Sequence, residues 1–183
     1  APEFLGTAFL LAVLGMLADP ARDALWVASA AAPFMLDGKP EDAGRAMLSR
    51  IDLAQGRVAW EAPLGSVHEM GPFPLPWHIN WGTPNLGGGL VTDGGVFFIG
   101  ATMDRQFRAF DVRDGRQLWS HELPIDATAT PMSYALHGRQ YVLINAGGHA
   151  MYNRDTGDYL IAFALPVNPK HDPPRTIPWP LRD

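Results

Sequence analysis

The chain has 183 residues, of which 47% are hydrophobic, so it is long enough and apolar enough to form one folded domain rather than a disordered segment. Its formal net charge of −5, with no run of lysine or arginine, argues against a nucleic-acid partner. Because the sequence contains no cysteine, disulfides and thiolate metal sites are excluded.

The first predicted element is the only long apolar run, from Phe4 to Leu17. This run is shorter than the roughly 20 residues that a membrane-spanning helix needs. It also lacks the basic leader that is typical of a secretory signal peptide. The run therefore predicts a buried pair of strands or a short helix.

Short runs of β-branched and aromatic residues, bounded by glycine, aspartate and proline, predict strands along most of the chain. Three similar runs occur at 24–27, 96–99 and 141–144, and we expect each to be a central strand of its sheet. The first two precede a repeated phrase, whereas the third leads through a turn at 155–157 into a last strand at 158–165. That last strand contains no tryptophan, as expected where a series of repeats ends.

The repeated phrase has aspartate, glycine, arginine and tryptophan at fixed spacing. The residues from Asp52 to Trp60 recur from Asp111 to Trp119, and all four matching residues are offset by the same 59 positions. Each copy has the composition of two strands joined by a tight turn. One tryptophan per four-stranded unit is typical of a β-propeller blade, in which the ring fits between neighbouring blades.

Two segments are too rich in proline to form a regular ladder. The segment 65–89 predicts a long, packed loop between blades. The segment 168–183 predicts an extended arm that lies on the surface or on a partner. We therefore interpret residues 1–183 as a single partial β-propeller segment that ends in a proline-rich tail.

The second copy of the phrase, at 109–119, resembles the tryptophan-docking motif of dehydrogenases that use pyrroloquinoline quinone (PQQ). Further phrases match that family in order and spacing: Gly82–Gly88, Gly94–Asp104, Ala129–Tyr134, Gln140–His149 and Gly157–Pro166. The segment from Ala46 to Pro166 is thus similar to the C-terminal end of the membrane-bound quinoprotein glucose dehydrogenase family, whose relatives act on quinate, shikimate and polyols. Arg50 departs from the small residue at the start of the family's motif, so docking at the first copy is expected to differ.

The resemblance implies an all-β fold, built of propeller blades with four antiparallel strands each. The chain would supply the last two to three blades of an eight-bladed quinoprotein propeller. Because so few repeats cannot close a ring, which takes typically four to eight blades, we expect a fragment, a truncated gene product or one piece of an assembly. The remaining blades would then be a partner of this chain.

The resemblance also implies an activity and its cofactors. A small sugar, polyol or cyclic hydroxy acid would be oxidised at the periplasmic face of the inner membrane, and the electrons would pass to ubiquinone. The complete enzyme would hold PQQ and a divalent cation, calcium or magnesium.

Three residues match positions near the cofactor in that family. His149 follows a pair of glycines, which allows close approach of the backbone, and the matching histidine lies beside the quinone and influences substrate choice. Asp104 matches an aspartate near the cofactor that affects metal retention. Asn85 can donate and accept hydrogen bonds at a quinone edge. The alternatives are a strand-capping histidine, a turn carboxylate before Arg105 and an asparagine that stabilises its own turn.

Other candidate residues are interpreted as structural. We expect Asp52 and Asp111 to hold the backbone of their turns, and Trp60 and Trp119 to dock between blades. Four other histidines show no metal-ligand spacing: His68, His78, His121 and His137. The sequence therefore predicts no metal ligand in this chain.

The family's catalytic base is a carboxylate from an earlier blade, and neither it nor the cofactor-contacting lysine has a match in this chain. The catalytic residues are thus unknown and expected upstream, and the chain would supply one wall of the site. Two alternatives remain open, a non-catalytic scaffold with PQQ-like repeats and a degenerate fragment that has lost activity. The phrases around Asn85, Asp104 and His149 favour the enzyme, since a scaffold needs only the tryptophan repeat.

Overall fold

The structure is a computed structural model that describes residues 16–29, 46–66, 80, 82–83, 85–148 and 155–166. These residues form antiparallel β-strands and a single turn of 3-10 helix at Pro20–Arg22. The strands are β1 (Met16–Asp19), β2 (Ala24–Ser29), β3 (Met47–Asp52), β4 (Arg57–Pro63), β5 (Gly89–Val91), β6 (Val96–Ile99), β7 (Gln106–Asp111), β8 (Gln117–Glu122), β9 (Met132–Leu136), β10 (Arg139–Gly148) and β11 (Thr156–Phe163). In this described part of the chain, no helix has the length and hydrophobicity needed to cross a membrane.

The strands form three sheets in chain order. The first sheet has the order β1-β2-β3-β4, the second β5-β6-β7-β8, and the third β11-β10-β9. We call them blades A, B and C. Blades A and B confirm the predicted four-stranded antiparallel unit, and blade C has three strands among the residues that the structure describes. The three apolar runs of the sequence are confirmed as the second strands of the blades, β2, β6 and β10.

Some sequence predictions fall outside the described residues. The apolar run Phe4–Leu17 is described only at its end, where β1 begins. The tail 168–183 and most of the proline-rich loop are not described. The last strand, predicted at 158–165, is β11 and begins earlier, at Thr156, because Thr156 pairs with Gly148 across an irregularity in the ladder.

Two apolar layers hold the three blades together. Between blades A and B, the buried ring of Trp26 stacks on Phe97 with 5.0 Å between centroids, and Leu48 and Phe110 join the same cluster. Between blades B and C, Phe107 packs in a cluster with Leu123, Val142 and Ile144. Blade B is therefore covered on both faces, which explains why β7 is buried along nearly its whole length.

The two copies of the repeated phrase form equivalent hairpins. In the first, Arg50 pairs with Trp60 and Ile51 with Val58, so one extra residue lies in β4. In the second, the same irregularity occurs after the pair Ala109 and Trp119. Each is a β-bulge at the same position of the repeat. The repeat thus specifies the ladder defect as well as the turn.

The predicted turn role of both aspartates is confirmed. Asp52 accepts a hydrogen bond from the amide of Gln55 at 2.9 Å, and Asp111 accepts one from the amide of Arg113 at 2.9 Å. Side-chain and backbone hydrogen bonds from Arg113 hold the pKa of Asp111 well below its usual range. Both carboxylates therefore act on the backbone of their own hairpins.

Trp60 docks between blades, as predicted. Its indole N–H donates to the carbonyl of Val112 at 3.1 Å, and its ring lies against Gly115 in the hairpin of blade B. Trp119 contacts Phe163 of blade C edge-to-face, with 5.2 Å between centroids, but stays 37% exposed. At the first copy, the larger residue Arg50 lies with its guanidinium carbon 6.0 Å from the centre of the Trp26 ring.

The loops of the blades separate into two ends. The turn end holds the short hairpin connections at 20–23, 53–56, 92–95 and 112–116. The connection end holds the links between blades and the β6–β7 loop, at 64–66, 82–88, 100–105 and 123–131, of which residue 84 is not described. The Asp–Gly part of the repeat lies at the turn end. The two described candidate residues, Asn85 and Asp104, lie at the connection end.

At the turn end, Arg22 connects blades A and B. Its guanidinium pairs with Asp19 at 2.8 Å and donates to the carbonyls of Thr92 at 3.1 Å and Asp93 at 2.9 Å. Asp19 belongs to blade A, whereas Thr92 and Asp93 belong to the β5–β6 turn of blade B. Arg22 therefore closes the side of the A–B interface that is remote from the candidate site.

Candidate functional site

Asn85 and Asp104 come from different connections and meet at the connection end. Asn85 lies in the link between β4 and β5, is fully buried and forms an isolated antiparallel bridge with Thr102. The next amide, that of Leu86, donates to the carbonyl of Ala101 at 2.9 Å. The backbone around Asn85 is thus attached directly to the β6–β7 loop that carries Asp104.

His149, the third predicted residue, lies outside the described residues. Its neighbour Gly148 is the last residue of β10, and the Gly148 amide donates to the carbonyl of Asp126 at 2.8 Å. Asp126 is buried in the link between blades B and C, at the connection end. The strand that precedes His149 therefore ends on the same side of the blades as Asn85 and Asp104.

The Asp104 carboxylate is buried, with hydrogen-bond donors on both oxygens. Oδ1 accepts from the Thr102 hydroxyl at 2.6 Å, from Arg108 Nη1 at 3.0 Å and from the Gln106 amide at 3.3 Å. Oδ2 accepts from the Ser66 amide at 2.6 Å and from Arg108 Nη2. The carboxylate thus makes its contacts within the protein, and Ser66 connects it to the end of blade A.

Two opposing effects set the pKa of Asp104. Burial raises the pKa, because a carboxylate loses hydration in the protein interior. Hydrogen bonds and charge attraction from Arg108, with hydrogen bonds from Thr102 and the Ser66 amide, lower it by more, and the pKa lies below its usual value. Asp104 is therefore an ionised partner of Arg108, and it is unsuited to accept a proton from a substrate near neutral pH.

The loop around Asp104 contains strained backbone. Ala101 has φ of +38° and Arg105 has φ of +55°, and both are residues with a Cβ in the left-handed region. Such conformations cost on the order of 1–3 kcal/mol and persist where surrounding contacts enforce them. The Leu123 amide donates to the Arg105 carbonyl at 2.7 Å, which ties the loop to the next connection. Strain of this kind marks the loop as a functional candidate.

The described residues can be tested for their fit to PQQ and to a cation. Thr83 Oγ1 is buried and has no hydrogen-bond partner among the described residues, and Asn85 adds an amide that can donate and accept. Neutral donors of this kind fit an edge of a quinone that carries carbonyls and carboxylates. Among the described residues, however, no three histidine or carboxylate side chains gather as a metal site, and Asp104 is already bonded to donors on both oxygens. These residues fit one wall of a PQQ site but not the cation's ligand set.

Sequence reasoning missed three members of this cluster, Ser66, Thr102 and Arg108. Of the three, only Arg108 has a signal in the sequence: it directly precedes Ala109, where the second copy of the phrase begins, and it lies between Phe107 and Ala109 in a strand. An arginine in a fully buried strand requires a buried acceptor, and Asp104 stands four positions before it. Ser66 acts through its backbone amide, which no side-chain pattern can reveal.

A family model matches residues 18–142, and its description is PQQ glucose/ethanol/alcohol dehydrogenase, β-propeller domain. Quinoprotein glucose dehydrogenase A of Acinetobacter calcoaceticus is 45% identical over 120 residues, which are 64% of this chain and 15% of that protein. The glycerol dehydrogenase large subunit of Gluconobacter thailandicus is 46% identical over 123 residues, 66% of this chain and 17% of that protein. A probable quinate dehydrogenase (quinone) of Xanthomonas campestris pv. juglandis is also 46% identical, over 65% of this chain and 15% of its own length.

Solved structures share the fold. A europium-containing methanol dehydrogenase superimposes with a TM-score of 0.53 at 21% identity, covering 74% of this chain and 24% of that one. Quinohemoprotein alcohol dehydrogenase from Comamonas testosteroni gives a TM-score of 0.50 at 19% identity, covering 73% and 22%. The matched part of this chain thus spans about a sixth of the length of the curated relatives and about a quarter of the length of the solved structures.

Proposed function

The chain belongs to the PQQ-dependent glucose, ethanol and alcohol dehydrogenase family, in its β-propeller domain, and from this membership we propose that it is the C-terminal propeller portion of such an enzyme. The substrate class is a sugar, polyol or cyclic hydroxy acid, as the names of the relatives suggest. The electrons would pass to ubiquinone at the periplasmic face of the inner membrane. The observation that carries the proposal is the junction of Asn85 and Asp104, which come from two separate connections and meet at Thr102: Asn85 through a backbone bridge, and Asp104 through the Thr102 hydroxyl.

Each site residue has a distinct role in this proposal. PQQ, when bound, supplies the two-electron acceptor for oxidation of the substrate hydroxyl group. Asn85 hydrogen-bonds an edge of the cofactor, with the Thr83 hydroxyl as a further donor. Asp104 stays ionised against Arg108 and positions the loop rather than taking a proton. His149 would contribute to the selection of the substrate.

Binding of PQQ by the full chain is the direct test. In a titration followed by nuclear magnetic resonance, PQQ should shift the backbone amides of Asn85 and Asp104 at the connection end. The amides of Gly56 and Gly115 at the turn end serve as internal controls and should not move. Shifts confined to the turn end, or none at all, would reject the proposed PQQ wall.

The chain alone should show no dehydrogenase activity. The candidate carboxylate Asp104 is held by Arg108, and hydride transfer from an alcohol needs a free positioned base. Purified chain with PQQ, calcium or magnesium, glucose and a dye acceptor should give no turnover above a cofactor blank. Turnover would show that the catalytic base lies within this chain. The chain would then supply more of the active site than one wall.

His149 can be tested in the glucose dehydrogenase of Acinetobacter calcoaceticus after exchange of the matching segment for residues 46–166. His149→Asn should fold and bind PQQ but raise KM or change the preference among sugars and polyols, with a loss of roughly 1–3 kcal/mol in transition-state binding. His137→Asn is the matched control, since His137 has φ of +52° in the β9–β10 turn at the opposite end. Equal kcat/KM for both variants on every substrate would remove His149 from the site.

The remaining blades are the proposed partner of blade C. The face of blade C that points away from blade B exposes apolar side chains in adjacent positions: Met132, Tyr134, Leu136 and Leu160. Leu143 on this face corresponds to Phe98 of blade B, which packs against the cluster that blade C completes. A further blade would therefore cover this face in the same way as blade C covers blade B.

A further inference from the structure

Arg108 is a buried cation whose two terminal nitrogens both donate to acceptors in the β6–β7 loop. It is 4% exposed in the middle strand region of blade B. Nη1 donates to the Thr102 hydroxyl and to Asp104 Oδ1, both at 3.0 Å, and Nη2 donates to Asp104 Oδ2. The guanidinium therefore holds Asp104 by both oxygens and fixes the orientation of the carboxylate.

The Asp104 carboxylate in turn fixes the backbone that leads to Asn85. Its Oδ2 accepts from the Ser66 amide at 2.6 Å. Just before Ser66, the carbonyl of Leu64 accepts from the Thr83 amide at 2.9 Å, and the carbonyl of Gly65 accepts from the Gly82 amide at 3.0 Å. The two stretches 64–66 and 82–83 are thus held side by side.

These contacts form a closed circuit around the proposed cofactor wall. Thr83 stands two residues before Asn85, and Asn85 is bridged to Thr102. Thr102 donates its hydroxyl hydrogen bond to Asp104, where the circuit began. Among the residues named in this circuit, Asp104 and Arg108 carry the charges, and both side chains are buried.

Stability alone is a weak explanation for this pair. Transfer of two charges into the interior is costly, and an apolar pair of similar volume is often as stable or more stable. What an ion pair adds is fixed geometry, because the planar guanidinium and the carboxylate accept few relative orientations. The strained residues Ala101 and Arg105 on either side of Asp104 also require such a constraint.

We propose that Arg108 is a positioning residue, which acts through Asp104 and Ser66 to hold Thr83 and Asn85 at the spacing that PQQ requires. This inference rests on the proposed function. It predicts that loss of the Arg108 charge loosens the connection end selectively and weakens PQQ binding. It also predicts that Arg108→Lys keeps part of the order at the connection end and part of the PQQ affinity, because lysine retains the charge but not the bidentate contact with Asp104.

The first experiment compares two arginines in the full chain. Arg108→Gln should increase the amide exchange rates of Ser66 and Thr83 at least tenfold relative to amides of the turn end. Arg22→Gln is the matched control, since Arg22 also joins blades A and B but at the turn end. It should leave Ser66 and Thr83 unchanged. Equal acceleration at both ends in Arg108→Gln would indicate a general loss of stability and overturn the proposal.

The second experiment measures PQQ affinity by the amide shifts of Asn85. Arg108→Gln should weaken PQQ at least tenfold relative to the original chain and to Arg22→Gln, with Arg108→Lys in between. If Arg108→Gln does not fold, the double variant Asp104→Leu with Arg108→Met replaces the pair by apolar groups. That variant should fold and still lose PQQ affinity.

The outcomes separate the two proposals. If the original chain does not bind PQQ, the proposed function fails and this inference fails with it. If the original chain binds PQQ and either Arg108→Gln or the folded double variant binds it equally well, only the role of Arg108 is overturned. Both proposals are supported if Arg108→Gln loses PQQ affinity and if its amide exchange is accelerated selectively at Ser66 and Thr83.

Discussion

Gly115 lies so close to Trp60 that a Cβ on Gly115 would stand 2.5 Å from Cε3 of the indole ring. Gly115 belongs to the turn of the second hairpin and Trp60 to the strand of the first. The two elements of the repeated phrase therefore meet across the A–B interface, the tryptophan of one copy against the glycine of the next. This contact explains why both residue types recur together in the sequence.

A pair of glycine substitutions should measure this contact. Gly56 and Gly115 occupy the same position of the repeat with φ of +61° and +72°, but the space around the Gly56 Cβ position is open. Gly56→Ala should therefore cost only the backbone strain, about 1 kcal/mol. Gly115→Ala should cost roughly 1–3 kcal/mol more, because the ring must move. Denaturant unfolding of both variants gives the difference, and equal costs would contradict the docking role of the Gly115 contact.

The two repeat tryptophans should differ in their importance for stability. Trp60 donates a hydrogen bond to Val112 and packs against Trp26, whereas Trp119 remains more than a third exposed. We expect Trp60→Ala to cost about 3 kcal/mol or more and Trp119→Ala roughly half of that. Thermal and denaturant unfolding should rank them in this order. A larger loss at Trp119 would mean that the B–C interface, rather than the A–B interface, limits the stability of the chain.

Removal of Arg108 should change how stability depends on pH. The lowered pKa of Asp104 contributes stability that is complete above its unfolded value, about 4, and that is lost as the pH falls through the folded pKa. In Arg108→Gln the burial of Asp104 opposes ionisation, so its pKa should rise and its contribution should be lost with increasing pH instead. As the pH is raised from 4 to 7, the contribution of Asp104 to the unfolding free energy should rise or stay level in the original chain and fall in Arg108→Gln. The difference between the two pH profiles removes the changes that both proteins share. Parallel profiles would contradict the coupling of Asp104 to Arg108.

Arg22 offers a prediction for the opposite end of the same interface. Arg22→Gln removes hydrogen bonds to the Thr92 and Asp93 carbonyls, and we expect a loss of about 1 kcal/mol. Arg113→Gln is the control, since that side chain is 82% exposed and pairs within its own turn. It should change the stability by a few tenths of a kcal/mol at most. If the two losses are equal, Arg22 does not join the blades in solution.

The sequence predicted the fold in some detail because its signals are local or repeated. The three central strands were readable from apolar runs, and the hairpins from the fixed spacing of Asp52, Asp111 and the two tryptophans. The exposure of Trp119 could not be predicted from the sequence, because it depends on which side chains of blade C pack against the ring. The sequence predicted only part of the polar network. Asn85 and Asp104 were predicted from the resemblance to the family. Ser66 could not be predicted, because it contributes a backbone amide that any residue except proline could supply.

The separation of the turn end from the connection end has a consequence for how this family can diversify. The residues that fix one blade against the next at the turn end, Trp60, Gly115 and Arg22, are different from those proposed to meet a ligand at the connection end, Thr83, Asn85 and His149. Substitutions that change substrate specificity can therefore accumulate without altering the contacts between blades at the turn end. The three relatives described above, named for glucose, glycerol and quinate, differ in the substrate of their names and match this chain at similar identity, 45–46%.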